Sequence, residues 1–147
     1  MGNVRVNFGG LEKFKDDIER LAQSDMQGFY ESCAKELAAR LLGKVIKRTP
    51  AITGTLRRGW TSYDNIEVVK RGNCYQITII NSMDYASYVE YGHRQEPGRY
   101  VPAIGKKLKA GWVPGKFMLT ISEQELQSEA PAILERKLAN LLKEAFQ

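Results

Sequence analysis

The stretch Arg48-Thr49-Pro50-Ala51-Ile52-Thr53-Gly54-Thr55-Leu56-Arg57-Arg58 separates two parts of the chain that differ in hydrophobic period. Before it, apolar residues recur at three- and four-residue steps, as in an amphipathic helix. After it, from Trp60 to Asn81, apolar and polar residues alternate, as in a β-strand. Pro50 biases Thr49 away from helical geometry, and Gly54 can adopt a left-handed conformation. The stretch therefore predicts the turn between a helical part and a β-sheet.

Two helices are predicted before this turn. A short amphipathic helix follows the Gly9-Gly10 break, and its stripe consists of Leu11, Phe14, Ile18 and Leu21. A stronger helix begins near Ser24 or Asp25, either of which would cap it, and extends to about Lys47. These helices form the N-terminal part of the expected fold.

The part after the turn predicts a small sheet and a further helix. Residues 66–79 alternate around a polar turn at 70–73, which indicates a β-hairpin with one buried face. Residues 83–92 fit helical spacing and, less regularly, extended spacing, and a short helix is favoured there over a strand. Seven prolines and glycines make residues 93–115 a predicted long loop without regular structure. In the tail, Ser122 and Glu125 resemble a capping box, and residues 128–131 are expected to open a C-terminal helix.

The expected fold class is therefore α+β. N-terminal helices and a C-terminal helix pack on a small antiparallel β-sheet, with a long loop at about 93–115, in a single domain that spans residues 1–147. A length of 147 residues suits one core, and 43% hydrophobic with 27% charged residues is typical of a folded protein. No run approaches the ~20 apolar residues of a membrane helix, and no secretory signal is evident, so no membrane contact is expected.

The net charge of +5 is unevenly distributed. Residues 37–63 contain six basic residues and no acidic one, and residues 93–116 contain six more against the single Glu96. Clustered Lys and Arg side chains favour a polyanion or an acidic partner subunit. A solvated face without a partner remains the alternative.

A search for catalytic chemistry yields one weak candidate. His93 is the only histidine, and with Arg94 and Arg99 nearby it has the residue types of a small ribonuclease toxin, but not an informative spacing. There is no nucleophile elbow, no phosphate-binding loop and no metal-ligand spacing. The sequence therefore predicts no catalytic residue, no cofactor, no metal and no small-molecule substrate.

Aromatic residues are dense around the predicted linkers. Tyr85 and Tyr88 are expected in the core, whereas Tyr100 and Trp112 are expected at an interface, because aromatic and arginine side chains are enriched in protein interfaces. The candidate interaction surface combines these residues with the basic clusters. It consists of Arg57, Arg58, His93, Arg94, Arg99, Tyr100, Lys106, Lys107, Lys109 and Trp112.

Three stretches resemble, in order and spacing, the tail-component family of long-tailed bacteriophages and prophages. They are residues 48–58, residues 85–94 (Tyr-Ala-Ser-Tyr-Val-Glu-Tyr-Gly-His-Arg) and residues 112–119 (Trp-Val-Pro-Gly-Lys-Phe-Met-Leu). The positions that carry the family motifs are Thr49, Pro50, Thr53, Gly54, Leu56, Arg57, Tyr85, Val89, Glu90, Tyr91 and Gly92. The chain departs from the family pattern at Ile52, where an aspartate is usual, and at Gly59, where a serine is usual.

The resemblance implies a structural subunit that completes the tail or joins it to the head connector. It implies a homo-oligomeric ring, with a hexamer as the expected form, that contacts neighbouring tail and connector proteins, and genomic DNA is a further candidate contact. The expected location is the tail or neck of the virion, after assembly in the host bacterial cytoplasm. A basic nucleic-acid-binding module is the alternative. As the one acidic residue of its motif, Glu90 is predicted to pair with Arg57 or Arg58.

Overall fold

The computed structural model describes residue 5 and residues 9–24, 26–51 and 54–146. The helices are α1 (Gly9–Gln23), α2 (Gln27–Arg48), α3 (Thr55–Arg58), α4 (Ala86–Tyr91) and α5 (Met118–Ala145). The strands are β1 (Val68–Arg71), β2 (Cys74–Ile77), β3 (Gly92–Arg94), β4 (Tyr100–Val101), β5 (Lys106–Lys107) and β6 (Trp112–Pro114). Terminal helices with antiparallel strands between them confirm the predicted α+β class.

The two N-terminal helices form where the apolar period predicts them. The cap position of α2 is Met26, which makes no side-chain cap bond, and the Ser24 hydroxyl instead donates to the Leu21 carbonyl at 2.6 Å. Ser24 is therefore not the cap, and Asp25 lies outside the described residues. The helix ends as expected, because Thr49 before Pro50 adopts an extended ψ of 127°.

The core lies where α2 packs against α5 and the β1–β2 hairpin. Its buried apolar side chains are Ala38, Leu41, Leu42, Val45, Leu56, Trp60, Ile66 and Met118. Ion pairs cross the same helix interface, with Lys44 Nζ 2.9 Å from Glu129 and Lys137 Nζ 2.8 Å from Glu36. The first long helix and the last are thus held together by apolar packing and by charge.

The C-terminal helix is longer than the sequence predicts. α5 begins at Met118, so Ser122 and Pro131 both lie inside it, and the predicted start at 128–131 is wrong. Ser122 is buried, and its hydroxyl donates to the Met118 carbonyl one turn earlier, which leaves no capping role for it. The helix continues past Pro131, and Ile133 is buried just beyond it.

The predicted hairpin is confirmed. β1 pairs with β2 in the register Val68↔Ile77 to Arg71↔Cys74, which leaves a two-residue turn at Gly72 and Asn73. Gly72 has a φ of 61°, the left-handed conformation that tight hairpin turns favour.

The segment predicted as a long loop is a nested antiparallel ribbon. Residues 92–114 are called the ribbon below. β3 pairs with β6 at its base (Gly92↔Pro114 to Arg94↔Trp112), and β4 pairs with β5 near its tip (Tyr100↔Lys107, Val101↔Lys106). The prediction of no regular element failed because most of the breakers lie between the short strands and Pro114 is the last residue of β6. Gly98 and Gly105, with φ values of 85° and 63°, occupy the irregular turns there.

Candidate assembly interface

Thr49 is the hub of the first motif. It is fully buried, its hydroxyl donates to the Val45 carbonyl at 2.7 Å, and it accepts a hydrogen bond from Trp60 Nε1 at 2.8 Å. Its own carbonyl accepts from Arg57 Nε at 2.7 Å. One threonine therefore ties the end of α2 to the short helix and to the start of the sheet.

The next part of the motif sets the direction of α3. Gly54 has a φ of 74° at the helix cap, as expected for a left-handed glycine, and Leu56 anchors the helix in the core. This geometry leaves the side chains of Arg57 and Arg58 exposed. Ile52 and Thr53 lie outside the described residues, so the expected roles of these positions stay predictions.

The glycine that replaces the usual serine has a structural reason. A Cβ atom at Gly59 would collide with the Asn81 carboxamide and lie 2.8 Å from Met83 Cγ. That carboxamide is fixed in place, because Asn81 Nδ2 donates to the Leu56 carbonyl at 2.8 Å and Oδ1 accepts from the Met83 backbone N–H at 3.0 Å. Position 59 therefore has no room for a side chain, because Asn81 fills the adjacent space.

Glu90 caps the C-terminal helix. Its side chain is buried and accepts hydrogen bonds from the backbone N–H groups of Leu119 and Thr120, both at 2.9 Å, and from the Thr120 hydroxyl at 2.7 Å. A carboxylate is favoured at a helix N-terminus, where backbone donors lack partners and the helix dipole is positive. The predicted pairing of Glu90 with Arg57 or Arg58 is wrong, because the helix N-terminus holds the carboxylate instead.

The tyrosines of the second motif are more exposed than the sequence predicts. Tyr85 is 42% exposed and Tyr88 is 58% exposed, so their expected place in the core is wrong. The reason is that α4 is a short helix, and only the face carrying Ala86, Val89 and Glu90 turns toward the protein interior. Tyr91 is also exposed, and its ring meets Phe117 edge-on at 6.4 Å.

Two glycines form the crossing point from which the ribbon projects. Gly92 has a φ of 88°, and a Cβ there would lie 2.6 Å from the Val113 carbonyl oxygen. A Cβ at Gly115 would likewise collide with the backbone of residues 90–92. The Lys116 N–H donates to the Val89 carbonyl at 2.8 Å, which fixes the exit of the ribbon beside α4. The second and third family-like stretches therefore pack directly on each other.

The ribbon carries most of the predicted interaction surface. Tyr100 and Trp112 are 56% and 52% exposed. The cations are exposed as well, and within the described residues they take part in no ion pair; they are Arg94, Arg99, Lys106, Lys107 and Lys109. β4 and β5 pack mainly on each other. Contacts within the described chain therefore do not explain why these positions carry large aromatic and basic side chains.

The basic cluster of α2 is different, because α5 neutralises part of it. Lys44 lies 3.2 Å from Glu125 and 2.9 Å from Glu129, and Arg48 pairs with Glu125. Hydrogen bonds donated by Lys44 and then Arg48 lower the pKa of Glu125, and the hydrogen bonds that Lys44 donates to Glu129 and then Glu125 raise the pKa of Lys44. These cations serve the helix interface of this chain.

The geometry around His93 does not support the ribonuclease alternative. His93 lies in β3, with its ring centroid 6.0 Å from that of Tyr88. Its Nδ1 atom is buried and has no hydrogen-bond partner in the described part of the chain. Acid–base catalysis requires an imidazole nitrogen that reaches the substrate proton, and the buried Nδ1 atom has no such access. The described residues also contain no cluster of metal-ligating side chains and no helix able to cross a membrane.

Comparison with known proteins identifies the family. The family model of bacteriophage HK97 gp10, described as a candidate tail component, matches residues 12–92, which is more than half of the 147 residues. The chain belongs to this family. The membership confirms the resemblance indicated by the motifs. No curated protein and no solved structure matches the chain.

The extent of the HK97 gp10 family match divides the structure. It runs from α1 to Gly92 and includes Thr49, Gly54 and Glu90. The ribbon and α5 lie beyond it, although Gly115 and the Glu90 cap attach both of them to the matched part. In this chain the motifs of the tail-component family therefore form the support on which the ribbon and the last helix are mounted.

Sequence reasoning missed the partners of these motif residues. The role of Asn81 had no local signal, because its contacts reach back to Leu56 and Gly59. Glu90 did have a signal, since a lone acid in an aromatic stretch needs a compensating partner. The sequence favours the nearest cations as that partner, whereas backbone donors more distant in sequence supply it.

Proposed function

We propose that this member of the phage tail-component family is a structural subunit that completes the tail or joins it to the head connector. In this proposal several copies, six being the expected number, form a ring in the tail or neck of the virion. The ribbon and the exposed Arg57 and Arg58 contact adjacent copies and neighbouring tail or connector proteins. The work of the protein is binding and positioning, without a chemical step.

The observation that carries the proposal is the exposed ribbon. Each of its sheets has only two strands, so both outer edges lack a strand partner among the described residues. A two-stranded ribbon with so little packing is at best marginally stable alone in water, and open strand edges readily pair with another chain. Its exposed Tyr100 and Trp112 are the residue types that anchor interfaces. Assembly would supply the packing that the isolated chain lacks.

The test is the oligomeric state of matched variants. Light scattering during size-exclusion chromatography at high protein concentration is expected to detect a ring for the unmodified chain. The double variant Tyr100→Ala/Trp112→Ala is expected to remain monomeric while its free energy of unfolding changes by less than about 1 kcal/mol. The control, Tyr63→Ala, removes an aromatic side chain outside the ribbon that is 53% exposed. This variant should still form the oligomeric ring.

Two results would oppose the proposal. A chain that stays monomeric even after its tail and connector partners are added would defeat the ring. Loss of assembly in Tyr63→Ala to the same degree as in the ribbon variant would show that the ribbon has no special part in it. Complementation of a phage or prophage lacking this gene, scored by tail-bearing particles, gives a second readout of the same variants.

A further inference from the structure

The charge of the molecule is concentrated on the ribbon and the two residues that follow it. Residues 93–116 hold six basic residues and one acidic residue, a net charge of +5, which equals the net charge of the whole chain. The remainder, with equal numbers of acidic and basic residues, is balanced. Residues 93–116 therefore form a cationic arm, and the rest of the chain, called the body below, has no net charge.

The cations of this arm are not explained by contacts within the chain. On the body, Arg40 pairs with Glu36, and Lys44 and Arg48 pair with Glu125. No ribbon cation has such a partner in the part of the chain that the structure describes, and Glu96 takes part in no ion pair there. Clustered positive charge with no internal partner favours an external anion.

The placement of the cations favours a double-stranded nucleic acid over an acidic protein. Lys106 and Lys107 are consecutive in β5, so their side chains point to opposite faces of the ribbon. The cross-strand partner of Lys107 is Tyr100, and that of Lys106 is Val101. An acidic protein surface would meet one face. A DNA groove has phosphates along both walls and is wide enough, at about 12 Å for the major groove, to admit a two-stranded ribbon.

We propose that the ribbon binds duplex DNA by entering a groove and neutralising phosphates on both sides, without reading the base sequence. Arg94 lies opposite Trp112 at the base of the ribbon, so cations extend from base to tip. This binding by the single chain does not depend on the ring of the proposed function.

The salt dependence of DNA binding tests this inference. Fluorescence anisotropy of a short labelled duplex of mixed sequence is measured between about 50 and 200 mM salt. Five phosphate contacts predict a slope of log K against log salt of about −4 to −5 for the monomer. The triple variant Lys106→Gln/Lys107→Gln/Lys109→Gln is expected to make this slope shallower by about 3 and to weaken binding at low salt more than tenfold.

A matched control removes the same charge from the body. Lys13, Arg136 and Lys143 are exposed and make no ion pair among the described residues. Their triple change to Gln also lowers the net charge of the chain from +5 to +2. The slope should then change by less than about 1. An equal loss in the control would overturn the inference, because it would reduce binding to a general effect of net charge.

Competition separates DNA from an acidic protein. Poly-glutamate at the same concentration of charge should displace the chain less effectively than unlabelled duplex. Equal or better displacement by poly-glutamate would overturn the inference in favour of an acidic protein partner. Light scattering of the same samples distinguishes the two proposals: DNA binding by a strictly monomeric chain refutes only the ring, and a ring that ignores DNA refutes only this inference.

Discussion

Polar residues have opposite roles in the ribbon and in the junction, which is the part of the structure around Thr49 and Glu90 that holds the base of the ribbon. In the junction, Thr49 and Glu90 are buried, and their side-chain oxygens are engaged with groups of the same chain. In the ribbon, the cations and the two large aromatic side chains point into solvent. The difference separates two tasks. Junction residues determine where the ribbon is held, and ribbon residues determine what it meets.

The largest expected effect breaks the junction at Glu90. Glu90→Ala leaves the N–H groups of Leu119 and Thr120 without their acceptor at a buried helix end, and should lower the free energy of unfolding by about 4 kcal/mol in urea denaturation. Glu96→Ala removes an exposed carboxylate from the ribbon and should change it by less than about 0.5 kcal/mol. Similar values for the two variants would mean that the cap contributes little to stability.

A smaller effect on stability is expected from alanine substitutions of two glycines, one at the junction and one within the ribbon. Gly92 and Gly98 have nearly the same positive φ, 88° and 85°, but a Cβ at Gly92 meets the Val113 backbone, while a Cβ at Gly98 meets open space. Gly98→Ala should therefore lower the free energy of unfolding by about 1 kcal/mol, from the conformation alone.

Gly92→Ala adds the collision, and the ψ of 170° at Gly92 is one that essentially only glycine adopts, so the change should cost about 3 kcal/mol in total. Thermal and urea unfolding of the pair measures the difference directly. If Gly98→Ala proved as destabilising as Gly92→Ala, the close approach of Gly92 to Val113 would have no energetic weight.

The smallest effect is a pH dependence confined to the body. Because hydrogen bonds from Lys44 and Arg48 lower the pKa of Glu125 below its ordinary value of 4.5, this group contributes stability above that pH and loses it as the pH falls through the lowered pKa. Glu125→Gln should flatten the acid side of the stability profile. Glu123→Gln, an exposed neighbour on α5, should leave its shape unchanged. A profile unaffected by Glu125→Gln would refute the contribution of these contacts.

Local signals were enough to predict the helices α1 and α2 and the β1–β2 hairpin. Periodicity needs only neighbouring residues, and Pro50 and Gly54 act on their own backbone. The same local logic failed at residues 93–115. There the prolines and glycines marked turns within a ribbon, and pairing such as Arg94↔Trp112 joins residues far apart in sequence. Composition alone cannot distinguish such a ribbon from a loop.

The candidate site was predicted only at the level of its motifs. The family and the motif positions Thr49, Gly54 and Glu90 came from the resemblance of three stretches to the tail-component family, whereas the partners of Glu90 required knowledge of where α5 begins. Tyr85 and Tyr88 were misplaced because hydrophobicity indicates that a tyrosine can be buried, while the orientation of a short helix decides which one is. The role of the ribbon residues in binding, and the single domain over residues 1–147, stay predictions.

The packing of α2 against α5 also bears on the order of events during synthesis. Lys137 of α5 contacts Glu36 of α2, so the core closes only after α5 has left the ribosome. The β4–β5 tip of the ribbon, by contrast, pairs residues close in sequence and can form within microseconds once its own segment is available. Until α5 is made, the apolar face of α2 lacks its cover and favours binding to chaperones. The helix that closes the core thus sets the earliest time at which a new subunit is ready to assemble.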